Sequence, residues 1–344
     1  MNKTIMVTGG TGYLGAWVVN QLLEKGYTVR LTVRNKTNKD KYALLQKTAD
    51  ASEGILEIYE ADLLDKGSFD EAARGSHAIM HVASPFTLRF KDPVKDLLDP
   101  AVQGTQNVLQ AASQAGTVRK VVLTSSVAAV HGDAVDLQEK GLSTFTEDHF
   151  NETSSTQHQP YSYSKVMAEK EAWKIYEAQD QWKLVVINPS FVLGPALSPQ
   201  SDSESLQFMR DMLSGKFRMG APDLKFGFVD VRDVAMAHIS ALEKDTVQGR
   251  HILAERVMSV NDLADMIKKL FPKQFKLPLM KSPKFMLYMV GWMFGLTAKF
   301  VKRNVGHPLA LDNRKSINDL ALQYRPMETT VRDMVEQMVE QKMV

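Results

Sequence analysis

Lys3-Thr4-Ile5-Met6-Val7-Thr8-Gly9-Gly10-Thr11-Gly12-Tyr13-Leu14-Gly15 is the stretch that decides the fold. Lys3 to Thr8 is a short β-rich run, and Ala16 to Glu24 beyond the turn reads as a helix. Glycines 9, 12 and 15 carry no Cβ, so backbone can approach a pyrophosphate and the helix can pack tightly on the strand. The helix then aims its first N–H groups at the turn, which makes an anion site. Strand, glycine turn and helix in that order predict a dinucleotide site, with Gly9, Thr11, Gly12, Tyr13, Leu14 and Gly15 around the phosphates.

Strand and helix signals alternate onward from this unit. Tyr27–Val33, Ile55–Tyr59, His77–Ala83, Lys120–Ser126 and Lys183–Asn188 read as strands. Val94–Gln114, stopped by Gly116, and Tyr161–Gln179 read as helices. Such alternation implies right-handed βαβ units. The expected fold class is α/β: a Rossmann-type doubly wound parallel sheet with a smaller, mostly helical substrate-binding region on its C-terminal side. Residues 1–190 are assigned to the nucleotide domain, with 226–240 returning to it. Residues 191–225 and 241–344 are assigned to the substrate region, with loop-like sequence at Ser198–Ser203. In open α/β sheets ligands bind outside the carboxyl ends of the strands. That rule singles out Gly9–Gly15, Arg34, Asp62-Leu63, Ala83-Ser84, Thr124–Ser126 and Pro189-Ser190.

Composition narrows the function classes. The 42 basic and 40 acidic residues are interspersed and leave a net charge of +2, so nucleic acid is not an expected partner. The chain has no cysteine, which removes disulfides, thiolate catalysis and cysteine-based zinc sites. No metal-ligand spacing stands out either, and no metal is expected. With a strand at the start of the sequence, no signal peptide is expected, and a cytoplasmic location is expected with it. The run from Phe285 to Ala298 is apolar, uncharged and flanked by Lys281, Lys284, Lys299, Lys302 and Arg303. It is too short to span a bilayer and reads first as a buried helix or a lid over a greasy pocket. An interfacial helix with basic flanks is the second reading.

Two groups of residues carry chemistry. At the end of the second strand an NAD site would place a carboxylate for the ribose 2′-hydroxyl, but Arg34 stands there. A guanidinium suits a 2′-phosphate, with Lys41 as a second candidate, so the cofactor expected is NADP(H). Asp62, after the third strand, is the expected partner for the adenine edge. Tyr161 and Lys165 are four apart at a helix start and share one face, whereas Tyr163 does not share it with Lys165. An ammonium and an oxidised nicotinamide beside Tyr161 favour its phenolate, so the residue can act as general acid or base. Ser126, leaving the fifth strand, is placed to bond the same substrate oxygen, with Ser125 its nearest competitor. His131 reads as a loop histidine, His238 as structural, and Asp230 and Asp233 as helix-capping or junction residues.

These residues resemble the extended branch of the short-chain dehydrogenase/reductase superfamily. More narrowly, the chain resembles the group of dihydroflavonol reductases, cinnamoyl-CoA reductases and yeast methylglyoxal/ketone reductases. The supporting stretches are Tyr27–Arg34, His81–Pro85, Ser164–Lys170 and Asn188–Pro195. The likeness covers residues 3 to 255 and fades beyond them. It implies that Ser126, Tyr161 and Lys165 are catalytic and that Arg34 and Lys41 hold the NADP phosphate. It also implies that Val82, Ala83 and Ser84 line the ribose and phosphate path, and that Pro189 and Ser190 lie by the nicotinamide. Asp136 to His158 departs from the plant enzymes, so neither flavonoid nor CoA-ester specificity carries over.

The expected function is an NADPH-dependent reductase of an aldehyde or ketone, reversibly an alcohol dehydrogenase. Met212, Phe217, Phe226 and the 285–298 run are expected to form an apolar wall for a hydrophobic carbonyl substrate. The partners expected are that small molecule and, at most, a second copy in a homodimer. The rivals are a nucleotide-sugar epimerase or dehydratase, a hydroxysteroid-type dehydrogenase at a membrane surface, and a non-catalytic NADP-sensing regulator.

Overall fold

A computed structural model describes residues 3–84, 90–198 and 203–344, the side chains of Met293 and Phe294 apart. Pro85 of the His81–Pro85 stretch and most of the Ser198–Ser203 loop lie outside the described residues. The nucleotide half runs β1 Thr4–Thr8, α1 Tyr13–Glu24, β2 Thr28–Val33, α2 Ala43–Asp50, β3 Ile55–Glu60, α3 Asp70–Ala73 and β4 Ala78–His81. It continues through α4 Asp99–Ala115, β5 Lys120–Thr124, α5 Asp136–Glu139, α6 Pro160–Glu177 and β6 Lys183–Pro189. Then follow β7 Phe191–Leu193, α7 Glu204–Leu213, β8 Lys225–Asp230, α8 Val231–Glu243, β9 Gly249–Leu253 and β10 Arg256–Ser259. The chain closes with α9 Val260–Leu270, α10 Lys284–Val290, α11 Ala298–Asn304, α12 Arg314–Leu320 and α13 Met327–Glu340.

Seven strands form one parallel sheet in the order β3-β2-β1-β4-β5-β6-β9. Buried runs such as Val121-Val122-Leu123 and Leu184-Val185-Val186-Ile187 fill its centre, as a sheet covered on both faces requires. One face packs on α1, α2 and α8, through Val18, Leu22, Val234 and Leu242. The other packs on α3, α4 and α6, through Val108, Leu109 and Ala172. Strand order reverses between β1 and β4, so the carboxyl end of β1 opens on a switch-point crevice.

The chain departs from the expected outline in several places. Helix α1 starts at Tyr13, three residues early. The long helix expected from Val94 begins as a wide turn, Val94–Leu98, and becomes α-helical at Asp99 with Pro100 in the first turn. Gly116 ends it at φ 66°, a left-handed cap. Of residues 226–240, the helix α8 packs on the large sheet, but β8 does not join it. Beyond Pro189 the chain peels off the large sheet into β7, and β8 pairs with β7 and β10 in a separate three-stranded sheet. The slot beside β6 is therefore filled by β9, which comes from sequence assigned to the substrate region. Asp230 caps α8 and accepts from Arg232 and Thr330, which ties the small sheet to α13.

Candidate active site

The glycine turn is shaped by close contacts. Gly9 adopts φ +69°, and a Cβ there would lie 2.7 Å from Ala83 Cα. A Cβ on Gly15 would overlap the Gly9 carbonyl oxygen and stand 2.8 Å from Gly10 Cα. Gly12 is different: its Cβ would meet only Gly9 O, at 3.3 Å, and otherwise project into open space. Gly9 thus lets the turn approach the chain leaving β4 and Gly15 lets α1 pack on the turn, while Gly12 leaves room for a ligand at the N-terminus of α1. Tyr13 has a structural duty, since its hydroxyl donates to Gly194 O at 2.6 Å.

From this turn a cavity of about 1040 Å³ extends along the carboxyl ends of the strands. Gly9, Thr11, Gly12, Tyr13, Leu14, Gly15, Arg34, Asp62, Leu63, Val82, Ala83, Ser84, Ser126, Tyr161, Lys165, Pro189 and Ser190 all line it. Of the residues expected to hold the cofactor or carry catalysis, Lys41 alone is absent from the lining; it sits exposed in the short turn Lys39–Lys41. Arg34 is exposed at the end of β2. The Asp62 carboxylate turns back on its own loop to accept from Leu64 N at 2.9 Å. Thr8 and Ala83 are stitched together across the switch point, with Ala83 N donating to both Thr8 O and Thr8 Oγ1.

Tyr161 and Lys165 project from the first turns of α6. Tyr161 pairs with the side chain of Ser126, and burial pushes its phenol well above the ordinary value, an effect that bond partly opposes. Ser126 caps the turn after β5 and accepts from Ala128 N at 3.1 Å. Ser125 is otherwise engaged: its hydroxyl donates to the buried Glu169 at 2.5 Å. Burial lowers the Lys165 ammonium to about 8, against the opposing pull of Glu169. Its Nζ lies 5.9 Å from the centre of the Tyr161 ring and donates to Ser84 Oγ at 2.9 Å. Beneath it, burial and then the Lys165 charge hold His81 down at about 3, so His81 is neutral and pairs with Thr8 at 2.8 Å. His238 is also neutral, lowered by burial to about 4. Its Nδ1 donates to Val234 O, which leaves Nε2 to accept from Thr124.

Sequence reasoning passed over Glu169. Four residues beyond Lys165 on α6, it accepts from Ser125, Asn188 and Arg250, and Asn188 also donates to Ser126 O. This buried carboxylate therefore joins the helix of Tyr161 and Lys165 to the strand end that carries Ser126. The i,i+4 spacing from Lys165 was the available signal. His131, read as a loop residue, also lines the cavity, stacked on Phe145 at 5.0 Å and lowered by burial to about 4.

The expected apolar wall is corrected. Phe226 lines the cavity, but Met212 is buried in the C-terminal core and Phe217 packs beside Phe208 outside the lining. None of the described side chains of the 285–298 run lines it. Instead Phe191, Leu224, Phe300 and Leu309 close that side. Nor is the run a buried helix: Leu287 is the only buried residue of α10. Among the described residues no cluster of three or more His, Asp or Glu side chains forms a metal site, and no helix is long and apolar enough to cross a membrane.

The parallel sheet, the glycine turn at its switch point and the Ser-Tyr-Lys group define a nucleotide-binding α/β protein of the short-chain dehydrogenase/reductase type. The chain belongs to the NAD dependent epimerase/dehydratase family, whose model matches residues 5–254. Cinnamoyl-CoA reductase CAD2 of Medicago truncatula is 33% identical over 345 residues, covering 99% of this chain and 97% of the relative. A bifunctional dihydroflavonol 4-reductase/flavanone 4-reductase of Malus domestica is 33% identical over 79% of this chain and 77% of its own. The crystal structure of Gre2 from Candida albicans in complex with NADPH superposes with a TM-score of 0.80 at 34% identity, covering 98% of this chain and 99% of that one.

Proposed function

We propose that this protein is an NADPH-dependent carbonyl reductase, acting on an aldehyde or ketone and reversibly on the matching alcohol. The observation that carries the reading is Tyr161 paired with Ser126 on the wall of the cavity that begins at the glycine turn. The residues present fit the cofactor. The turn leaves open space at Gly12, and Ser190 Oγ is buried in the lining with no partner among the described residues. Arg34 would hold the 2′-phosphate, the N-terminus of α1 the pyrophosphate, and Pro189 and Ser190 the nicotinamide side.

Bound there, NADPH supplies the hydride for the carbonyl carbon. The protein's own residues manage the oxygen. Ser126 orients it by donating a hydrogen bond, and Tyr161 passes it a proton. Lys165 carries the positive charge that stabilises the phenolate left behind, and Ser84 fixes that ammonium in place. Phe191, Phe226, Phe300 and Leu309 favour an apolar substrate body. The reductase relatives support this reading over a nucleotide-sugar epimerase. A panel of aldehydes, ketones and diketones, with NADPH oxidation followed by absorbance, tests it. Turnover of at least one carbonyl class is expected. Tightly retained nucleotide with no NADPH consumption would overturn the proposal in favour of an epimerase or dehydratase.

A further inference from the structure

The segment that the cavity does not use is exposed. Phe285, Met289 and Trp292 are 67%, 69% and 74% exposed, and Leu279, Met280 and Tyr288 stand open beside them in sequence. Such a concentration of large apolar groups marks an interaction surface. Its charge setting is equally biased. From residue 266 to residue 311 there are eight lysines and one arginine, and not one aspartate or glutamate. Arg303 is consumed by Asp133, Asp136 and Glu139. Lys276, Lys299 and Lys302 are exposed and form no ion pair among the described residues.

We propose that α10 and the turn Gly291–Phe294 dock this protein on an anionic lipid surface. Helix α10 has seven residues, far too few to span, but Phe, Tyr, Trp and Met beside lysines suit an interface, with rings at headgroup depth. A second copy of this chain is the less suitable occupant. A two-fold interface would set the same basic stretch against itself, whereas anionic headgroups attract it. The element is held firmly: Leu287 anchors α10 in the C-terminal core, and Lys284 Nζ donates to Lys302 O and Val305 O of the α11 segment. Helix α11 in turn supplies Phe300 and Asn304 to the cavity wall, and Arg303 and Asn304 grip Asp133. Docking therefore engages an element joined directly to the substrate side of the cavity.

The test uses the full chain with NADPH and phosphatidylcholine vesicles made with or without phosphatidylserine. Co-sedimentation is expected with the phosphatidylserine vesicles, with little on phosphatidylcholine alone, and with release at high salt. Trp292 emission shifts to the blue on binding, and Trp292→Phe loses that shift. Phe285→Glu with Met289→Glu weakens partitioning by roughly tenfold or more, as does Lys276→Glu with Lys299→Glu. All four side chains are exposed, so both variants fold. NADPH oxidation with a water-soluble aldehyde, measured without vesicles, stays unchanged in both, which separates this proposal from the reductase reading. No partitioning onto phosphatidylserine vesicles overturns it. So does a concentration-dependent dimer that Phe285→Glu abolishes while vesicles remain unbound.

Discussion

Gly12→Ala and Gly15→Ala should separate ligand binding from folding within one turn. At Gly15 the new methyl would collide with the Gly9 carbonyl and stand 2.8 Å from Gly10 Cα, both rigid backbone. Overpacking of this kind costs about 1–3 kcal/mol, and the absence of a movable side chain places it at the upper end. At about 2–4 °C per kcal/mol, Gly15→Ala should melt on the order of 5–10 °C lower. At Gly12 the backbone is extended, φ −82° and ψ 175°, which alanine adopts freely. Its methyl would touch only Gly9 O, at 3.3 Å. Loss of a glycine N-cap adds under about 1 kcal/mol, so the fold should survive with a small change in Tm. The methyl would, however, occupy the space beside the α1 N-terminus where a pyrophosphate must lie. NADPH affinity should fall at least about tenfold, or about 1.4 kcal/mol. Thermal unfolding and an NADPH fluorescence titration on both variants give the two readouts. If Gly12→Ala binds NADPH as well as the parent, or Gly15→Ala melts at the parent temperature, the account of this turn is wrong.

Two further outcomes follow from the electrostatics. Arg34→Glu should swing preference from NADPH toward NADH, because a carboxylate repels the 2′-phosphate and accepts from a 2′-hydroxyl; an unmoved ratio of kcat/KM values would make Arg34 a bystander. Burial lowers Lys165 to about 8, so its ammonium is lost as pH rises through that value, and with it the charge beside Tyr161. The kcat/KM for carbonyl reduction should therefore decline above about pH 8 in a single-proton step. Lys165→Arg, which stays charged, should flatten that limb even if it turns over slowly. A limb that persists in the arginine variant would assign it to another group.

The parts of this protein that were legible in sequence are those set by local spacing. The glycines at 9, 12 and 15 and the Tyr161–Lys165 step lie within one or two turns of chain, so their geometry follows from the period of the element carrying them. The strands β5 and β6 announced themselves as continuous apolar runs. What stayed hidden depends on distant partners. Strand β9, Gly-Arg-His-Ile-Leu, is short and half polar, and it joins the sheet by pairing along the edge that Val185–Pro189 of β6 presents. The 285–298 run is apolar whether covered or not, and hydropathy alone does not say which. The grip of Arg303 and Asn304 on Asp133 spans 170 and 171 residues, beyond any pattern read along the chain. The hold of Glu169 on Ser125, the nearest competitor of Ser126, is likewise a contact across 44 residues that no local spacing announces.

The central claim is that Tyr161 delivers a proton to a carbonyl oxygen in a site that binds NADPH independently of it. Tyr161→Phe keeps the ring and removes only the hydroxyl that pairs with Ser126. Measured side by side, NADPH affinity should stay within about twofold while kcat for the best carbonyl substrate falls by about two or more orders of magnitude. A phenylalanine variant that turns over at the parent rate would contradict the account.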